Sequence, residues 1–81
     1  MQRALPIENI GNLTKTDVQI LRVISVKLGE REKARIEYMD IARSLNLPRS
    51  TVRSSVNRMV QNKILRRDVE GLSFVNAIIF N

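Results

Sequence analysis

Apolar residues recur along residues 14–28 at the spacing of an α-helix. The inner stripe consists of Val18, Leu21, Ile24 and Leu28. Thr14 is a candidate N-cap with Asp17 three positions later, close to a capping box, and Gly29 follows the last turn. We therefore predict a first helix that begins after Thr14 and ends at Gly29.

This first helix also carries apolar residues that we expect to point away from the inner stripe, namely Ile20, Val23 and Val26. A helix that is apolar over more than one face must be covered by something. The arm formed by residues 1–13, the C-terminal strand or a second copy of the chain could cover it. The third possibility underlies our prediction of a homodimer.

Two shorter helical patterns follow the charged connector "EREKAR". "IEY" is typical of a short strand or of an extended entry to the next helix, and "MDIARSLN" predicts a second helix with Ile41, Ala42 and Leu45 inside. Pro48 favours an extended backbone at Leu47, and its fixed φ suits the first turn of a helix. We therefore predict a third helix over about 49–62. The buried stripe of the third helix is predicted to be Val52, Val56, Met59 and Val60.

The last part of the chain predicts a β-hairpin. "ILRRD" is typical of a strand, "VEG" of a turn and "LSFVNAIIFN" of a returning strand, with Gly71 closing the loop. The chain is thus predicted to be mainly α with a small β-hairpin: three helices and a two- or three-stranded antiparallel sheet. We expect residues 1–13 to form an arm and residues 14–80 one domain.

The composition of the 81 residues narrows the functional classes. The chain contains neither cysteine nor histidine, which removes disulfides, thiol nucleophiles, imidazole bases and nearly all zinc sites. No carboxylate pair is placed to raise a pKa, so we expect neither an enzyme nor a cofactor or metal. No segment resembles a signal peptide or a membrane span, and we expect a cytoplasmic protein without a membrane partner.

Positive charge is concentrated in one third of the chain. The net charge is +6, yet residues 41–67 hold seven basic and no acidic residues, which leaves seven basic and eight acidic ones elsewhere. Such asymmetry is expected of a surface that binds nucleic acid, although a solvated basic face would give the same count.

The outer face of the third helix combines small polar side chains with arginines. Opposite the buried stripe lie Ser50, Ser54, Asn57 and Gln61, flanked by Thr51, Arg53 and Arg58. Short polar side chains allow a close approach to base edges, and asparagine can pair with adenine and arginine with guanine. A surface helix without this task usually includes Glu or Asp.

The segment "YMDIARSLNLPRSTVRSSVNRMVQNKILRRD" resembles the winged helix-turn-helix of bacterial and archaeal transcription regulators. Its "LNLPRSTV" turn is similar to that of IclR-type repressors, and MarR-type regulators share the layout. The resemblance implies that the third helix enters the major groove and that the hairpin, or wing, contacts flanking DNA. No effector-binding domain follows the wing and its tip "DVEG" is acidic, so we expect neither a small-molecule effector nor deep minor-groove insertion.

The resemblance places Arg49, Ser50, Thr51, Arg53, Ser54 and Asn57 at recognition positions, and Arg66 and Arg67 on the first wing strand. Together with Arg58 these are the predicted contacts to double-stranded DNA. Ser50, Ser54 and Asn57 could instead be solvated, and the stems of Arg43 and Arg58 could simply cover apolar surface. We expect a nucleoid-associated transcriptional regulator. The alternatives are a protein-docking module, or an origin-binding or partition module of a plasmid or virus.

Overall fold

Three helices and two small sheets make up the computed structural model, which describes residues 5–6, 13–75 and 78–79. The elements are β1 (Leu5–Pro6), α1 (Lys15–Leu28), α2 (Tyr38–Leu45), α3 (Arg49–Gln61), β2 (Leu65–Asp68), β3 (Gly71–Phe74) and β4 (Ile78–Ile79). The three helices and the β2–β3 hairpin confirm the predicted fold class, a winged helix.

The ends of α1 are set by local hydrogen bonds. The Asp17 N–H donates to the Thr14 hydroxyl at 3.0 Å, and the Thr14 N–H donates to the Asp17 carboxylate at 3.1 Å. These reciprocal bonds satisfy two of the free N–H groups at the helix start and confirm the predicted capping box. At the other end Gly29, with φ of 58°, donates its N–H to the carbonyl of Ser25.

The core is built from all three helices and the wing strands. Its fully buried side chains include Leu21, Ile24, Ile41, Val52, Val56, Met59 and Leu65. Ile20, which we placed outside the inner stripe, is also fully buried, so part of the second apolar face of α1 is covered within the chain. The reason is that α1 contacts both α2 and α3, and a helix between two neighbours buries a wider arc than one stripe.

The turn between α2 and α3 follows the predicted chemistry. Asn46 adopts the left-handed conformation (φ 55°, ψ 47°) and donates its N–H to the carbonyls of Ala42 and Arg43. Pro48 is the N-cap of α3, with φ of −61°, and its carbonyl accepts from the Val52 N–H at 3.3 Å. This turn aims α3 across α2, so that the polar face of α3 remains outside.

The wing, residues 65–74, pairs β2 with β3 antiparallel, from Leu65 opposite Phe74 to Asp68 opposite Gly71. A third segment joins it: Ala34 and Leu72 exchange two backbone hydrogen bonds of 3.1 and 2.9 Å. No strand forms at "IEY"; its alternative, an extended entry, agrees with Glu37, which is extended (φ −84°, ψ 139°) before α2. The pairing occurs at Ala34 within the connector, and Tyr38 already begins α2.

The predicted returning strand of residues 72–81 is shorter than expected. Strand β3 ends at Phe74, and β4 pairs in parallel with β1, with Leu5 opposite Ile78 and Pro6 opposite Ile79. Part of the arm thus lies beside the C-terminal segment; residues 1–4, 7–12, 76–77 and 80–81 lie outside the described residues. Within the described part, no helix is long and apolar enough to cross a bilayer.

Candidate nucleic-acid interface

The outer face of α3 is accessible along its length. Arg49, Ser50, Arg53, Ser54 and Gln61 are exposed, and Thr51 and Asn57 are half-buried. Arg66 and Arg67 are exposed on β2, beside α3. The first turn of α3 holds no acidic residue. The predicted α3 residues other than Arg58, together with Arg67, therefore offer hydroxyl, amide and guanidinium groups to a ligand, whereas Arg66 lies on the other face of β2.

A buried carboxylate fixes α3 against α1. The Asp17 side chain is only 1 % exposed, and it accepts hydrogen bonds from the hydroxyl of Ser55 and from the guanidinium of Arg58. Arg58, 47 % exposed, is therefore an ion-pair partner in this structure, a role that the sequence did not suggest. Because Asp17 also caps α1, one side chain ties the start of α1 to the middle of α3.

The ionisation of Asp17 reflects these contacts. Burial raises the pKa of its carboxyl group, but hydrogen bonds from Ser55, from the Thr14 backbone and from Arg58 outweigh burial, and the pKa lies below its ordinary value of 3.8. The group is thus an anion at neutral pH, and the anion is the form that its three partners bind.

Sequence reasoning missed this contact, although a signal for it exists. Asp17 lies four positions before Leu21 and seven before Ile24, on the buried stripe of α1. Ser55 lies three positions after Val52 and is 4 % exposed, on the buried stripe of α3. Two polar residues on the facing stripes of neighbouring helices are expected to bind each other, since a buried polar group needs a partner.

A second cluster joins the wing to α3 and α2. The Nη1 of Arg67 donates to Oδ1 of Asn57 at 2.6 Å and also to the hydroxyl of Tyr38. Tyr38 is the first residue of α2 and half-buried, and it was not among the predicted site residues. The wing, α2 and α3 are thus connected through one guanidinium group.

The acidic wing tip is partly neutralised by the connector. The Nζ of Lys33 lies 2.9 Å from Asp68 and 3.3 Å from Glu70, and Arg35 donates to the carbonyl of Val69 at 3.2 Å. The two carboxylates raise the pKa of Lys33, and Lys33 with the Glu70 N–H lowers the pKa of Asp68. Lys33 and Arg35 of the connector are therefore bound to the wing.

Two shallow grooves flank α3. One lies between the start of α1 and α3, with Thr16, Ser50, Thr51 and Ser54 among its lining residues. The other lies between the start of α2 and the wing, and Arg35, Arg49 and Arg67 line it. The first groove is thus rich in hydroxyl groups, and the second combines arginines with the carboxylates of Glu37 and Asp68.

This arrangement agrees with a family match. The model of a family described as winged helix-turn-helix DNA-binding matches residues 13–66. The chain belongs to this family. The matched residues comprise α1, the α2–turn–α3 unit and the first two residues of β2. The narrower likeness to IclR-type and MarR-type regulators remains a resemblance of the turn sequence.

Two archaeal relatives share this domain. An uncharacterized HTH-type transcriptional regulator of Pyrococcus horikoshii is 38% identical over 55 residues, and one of Pyrococcus abyssi is 36% identical over 55 residues. In each case the match covers 68% of this chain but only 31% of the relative, so the chain spans about a third of the length of these proteins. No solved structure matches the chain.

Proposed function

We propose that the protein binds double-stranded DNA sequence-specifically and regulates transcription, with α3 in the major groove. The observation that carries the proposal is the exposed face of α3, on which Arg49, Ser50, Arg53 and Ser54 are accessible and no carboxylate lies. The names of the two relatives, HTH-type transcriptional regulators, support the same role.

Affinity and specificity would come from different groups. Arginines around this face, such as Arg49 on α3, and on the wing, such as Arg66, would contact phosphates, which supply affinity without sequence information. Side chains in the middle of the face, such as Ser54 and Asn57, would reach base edges. The pairing of Lys33 with the acidic wing tip reduces the repulsion between the tip and nearby phosphates.

The salt dependence of duplex binding tests the electrostatic part. If each subunit of a homodimer neutralises about four phosphates, log K should fall against log salt concentration with a slope of about −7. Fluorescence anisotropy with a selected duplex across a salt series measures the slope. A slope near zero would contradict the proposal and would favour the alternative of a protein-docking module.

Truncating Arg53 tests the contribution of the recognition helix. We expect Arg53→Ala to weaken binding to the selected duplex by about 1–3 kcal/mol, or about 5- to 150-fold, and to relax the preference at one base pair. Arg22→Ala is the matched control, because it removes an exposed arginine from α1, outside the proposed interface. Equal losses of affinity in the two variants would show that only net charge matters.

We further propose a homodimer that acts on DNA in the cytoplasm, associated with the nucleoid. Val26 on α1 is 81% exposed and Val23 beside it is half-buried, so α1 offers an apolar surface. Selection from a random duplex pool should then give a palindrome with half-sites about one helical turn apart. An unrepeated site would speak against the dimer, and no enrichment would speak against specific binding. The genomic position of the selected site, in front of genes or at a replication origin, would separate a regulator from an origin-binding or partition module.

A further inference from the structure

The hydrogen bond between Arg67 and Asn57 determines which way round the Asn57 amide lies. Arginine has five N–H donors and no acceptor, so only the amide oxygen of Asn57 can face it. The structure agrees, with Nη1 of Arg67 lying 2.6 Å from Oδ1 of Asn57. The amide nitrogen of Asn57, with its two N–H groups, takes no part in this contact.

This orientation changes what Asn57 can offer to a base. An asparagine with both groups free pairs with adenine, because Oδ1 accepts from N6 and the amide nitrogen donates to N7. Here Oδ1 already accepts a hydrogen bond from a charged donor, which is stronger than one from a neutral group. Oδ1 has a second lone pair, but the positive charge beside it disfavours another donor such as a base amino group, so Asn57 presents mainly its N–H donors.

The guanidinium is held in place from a second side. Arg67 also donates to the hydroxyl of Tyr38, the first residue of α2, so acceptors from two helices bind it. Arg66 precedes it on β2 and, because side chains alternate along a strand, lies on the opposite face. Strand β2 thus contains two exposed arginines of equal charge, of which Arg67 is the one bonded to Asn57.

We propose that Arg67 is a positioning residue that makes Asn57 a hydrogen-bond donor, so that the base facing Asn57 is guanine and not adenine. Guanine presents two acceptors in the major groove, O6 and N7, whereas adenine presents one acceptor and one donor. The Arg67–Asn57 pair carries donors and a positive charge, which matches the two acceptors. The inference rests on the proposed function and names the specificity of one position within it.

Selection from a random duplex pool tests the inference with four proteins: the wild type, Asn57→Ala, Arg67→Met and Arg66→Met. Asn57→Ala identifies the base pair that Asn57 faces, because the preference is lost there alone. At this pair the wild type should favour guanine over adenine by about tenfold or more. Arg67→Met should remove most of this preference for guanine. Arg66→Met should weaken binding to all sequences but leave the preference for guanine unchanged.

The outcomes separate the inference from the proposed function. Adenine at the Asn57 position of the wild type, or an unchanged guanine preference in Arg67→Met, overturns the inference and leaves DNA binding intact. A wild type that binds no duplex at moderate salt overturns both. Circular dichroism of each variant verifies folding, which we expect to persist because Arg66 and Arg67 are exposed.

Discussion

Replacing Asp17 by alanine is expected to lower the free energy of unfolding by about 2–4 kcal/mol. The change removes half of the α1 capping box and leaves the buried hydroxyl of Ser55 without its acceptor. Arg58 is half-exposed, so water can solvate its charge once Asp17 is removed. Arg58 therefore adds less to the loss of stability than a buried partner would. For an 81-residue domain with about 4–12 kcal/mol of total stability, this is a large fraction.

Thermal and urea denaturation measure the effect, which should appear as a melting temperature lower by roughly 10–25 °C. Asp40→Ala is the matched control. It removes an exposed carboxylate from the first turn of α2 and should cost no more than about 1 kcal/mol. Equal losses in the two variants would mean that the buried contact of Asp17 is not the cause. The double variant Asp17→Ala/Ser55→Ala should lose less stability than the sum of the losses in the two single variants. The reason is that it also removes the hydroxyl group that Asp17→Ala leaves unpaired.

The pH dependence of stability provides a second check on Asp17. Its folded-state pKa lies below 3.8, so around and below that pH the unfolded chain binds more protons than the folded one. The stability contributed by ionised Asp17 is therefore present in full well above pH 3.8 and is lost as the pH falls through 3.8 towards the folded-state pKa. The difference between wild type and Asp17→Ala in urea titrations should be constant near neutral pH and should shrink in acid. A difference that grows in acid would refute this account.

Gly71→Ala is expected to destabilise the domain by about 3–5 kcal/mol through the wing. Gly71 has φ of 132°, a backbone conformation that residues with a side chain rarely adopt. A Cβ at this position would lie 2.7 Å from the backbone nitrogen of Arg35 and closer still to the carbonyl group of Ala34. That carbonyl accepts from the Leu72 N–H, so the clash would force apart the pair that joins the connector to the wing. The ion pairs of Lys33 with the wing depend on the same approach.

Gly29→Ala separates backbone strain from the clash. Gly29 also has a positive φ, 58°, but nothing lies within 4 Å of a Cβ at this position. We expect a cost of about 1–2 kcal/mol, from strain alone. Urea denaturation of both variants measures the difference, and amide hydrogen exchange at Leu72 reports whether the wing has separated. If the two glycine variants are equally stable, the close approach of Gly71 to Ala34 is not what limits substitution there.

The candidate site divides into parts that the sequence predicted and parts that it could not. The accessible polar face of α3 follows from its helical period, because Val52, Val56 and Met59 mark the buried side and so place Ser54 outside. The partners of Arg58 and Asn57 do not follow from any period. Arg58 binds Asp17, which lies 41 positions earlier in the chain, and Asn57 binds Arg67 on strand β2. Both contacts depend on how the helices and the wing pack against one another.

By itself the sequence determined the three helices, the Thr14–Asp17 capping box, the turn before Pro48 and the basic surface, because helix periods, caps and charge depend on residues a few positions apart. Only the tertiary structure decided that Asp17 also binds Ser55, that Ala34 joins the wing and that Arg67 orients Asn57. These contacts span distant parts of the chain. A side chain with several possible partners binds the one that packing brings within hydrogen-bonding distance, and packing is a property of the whole fold.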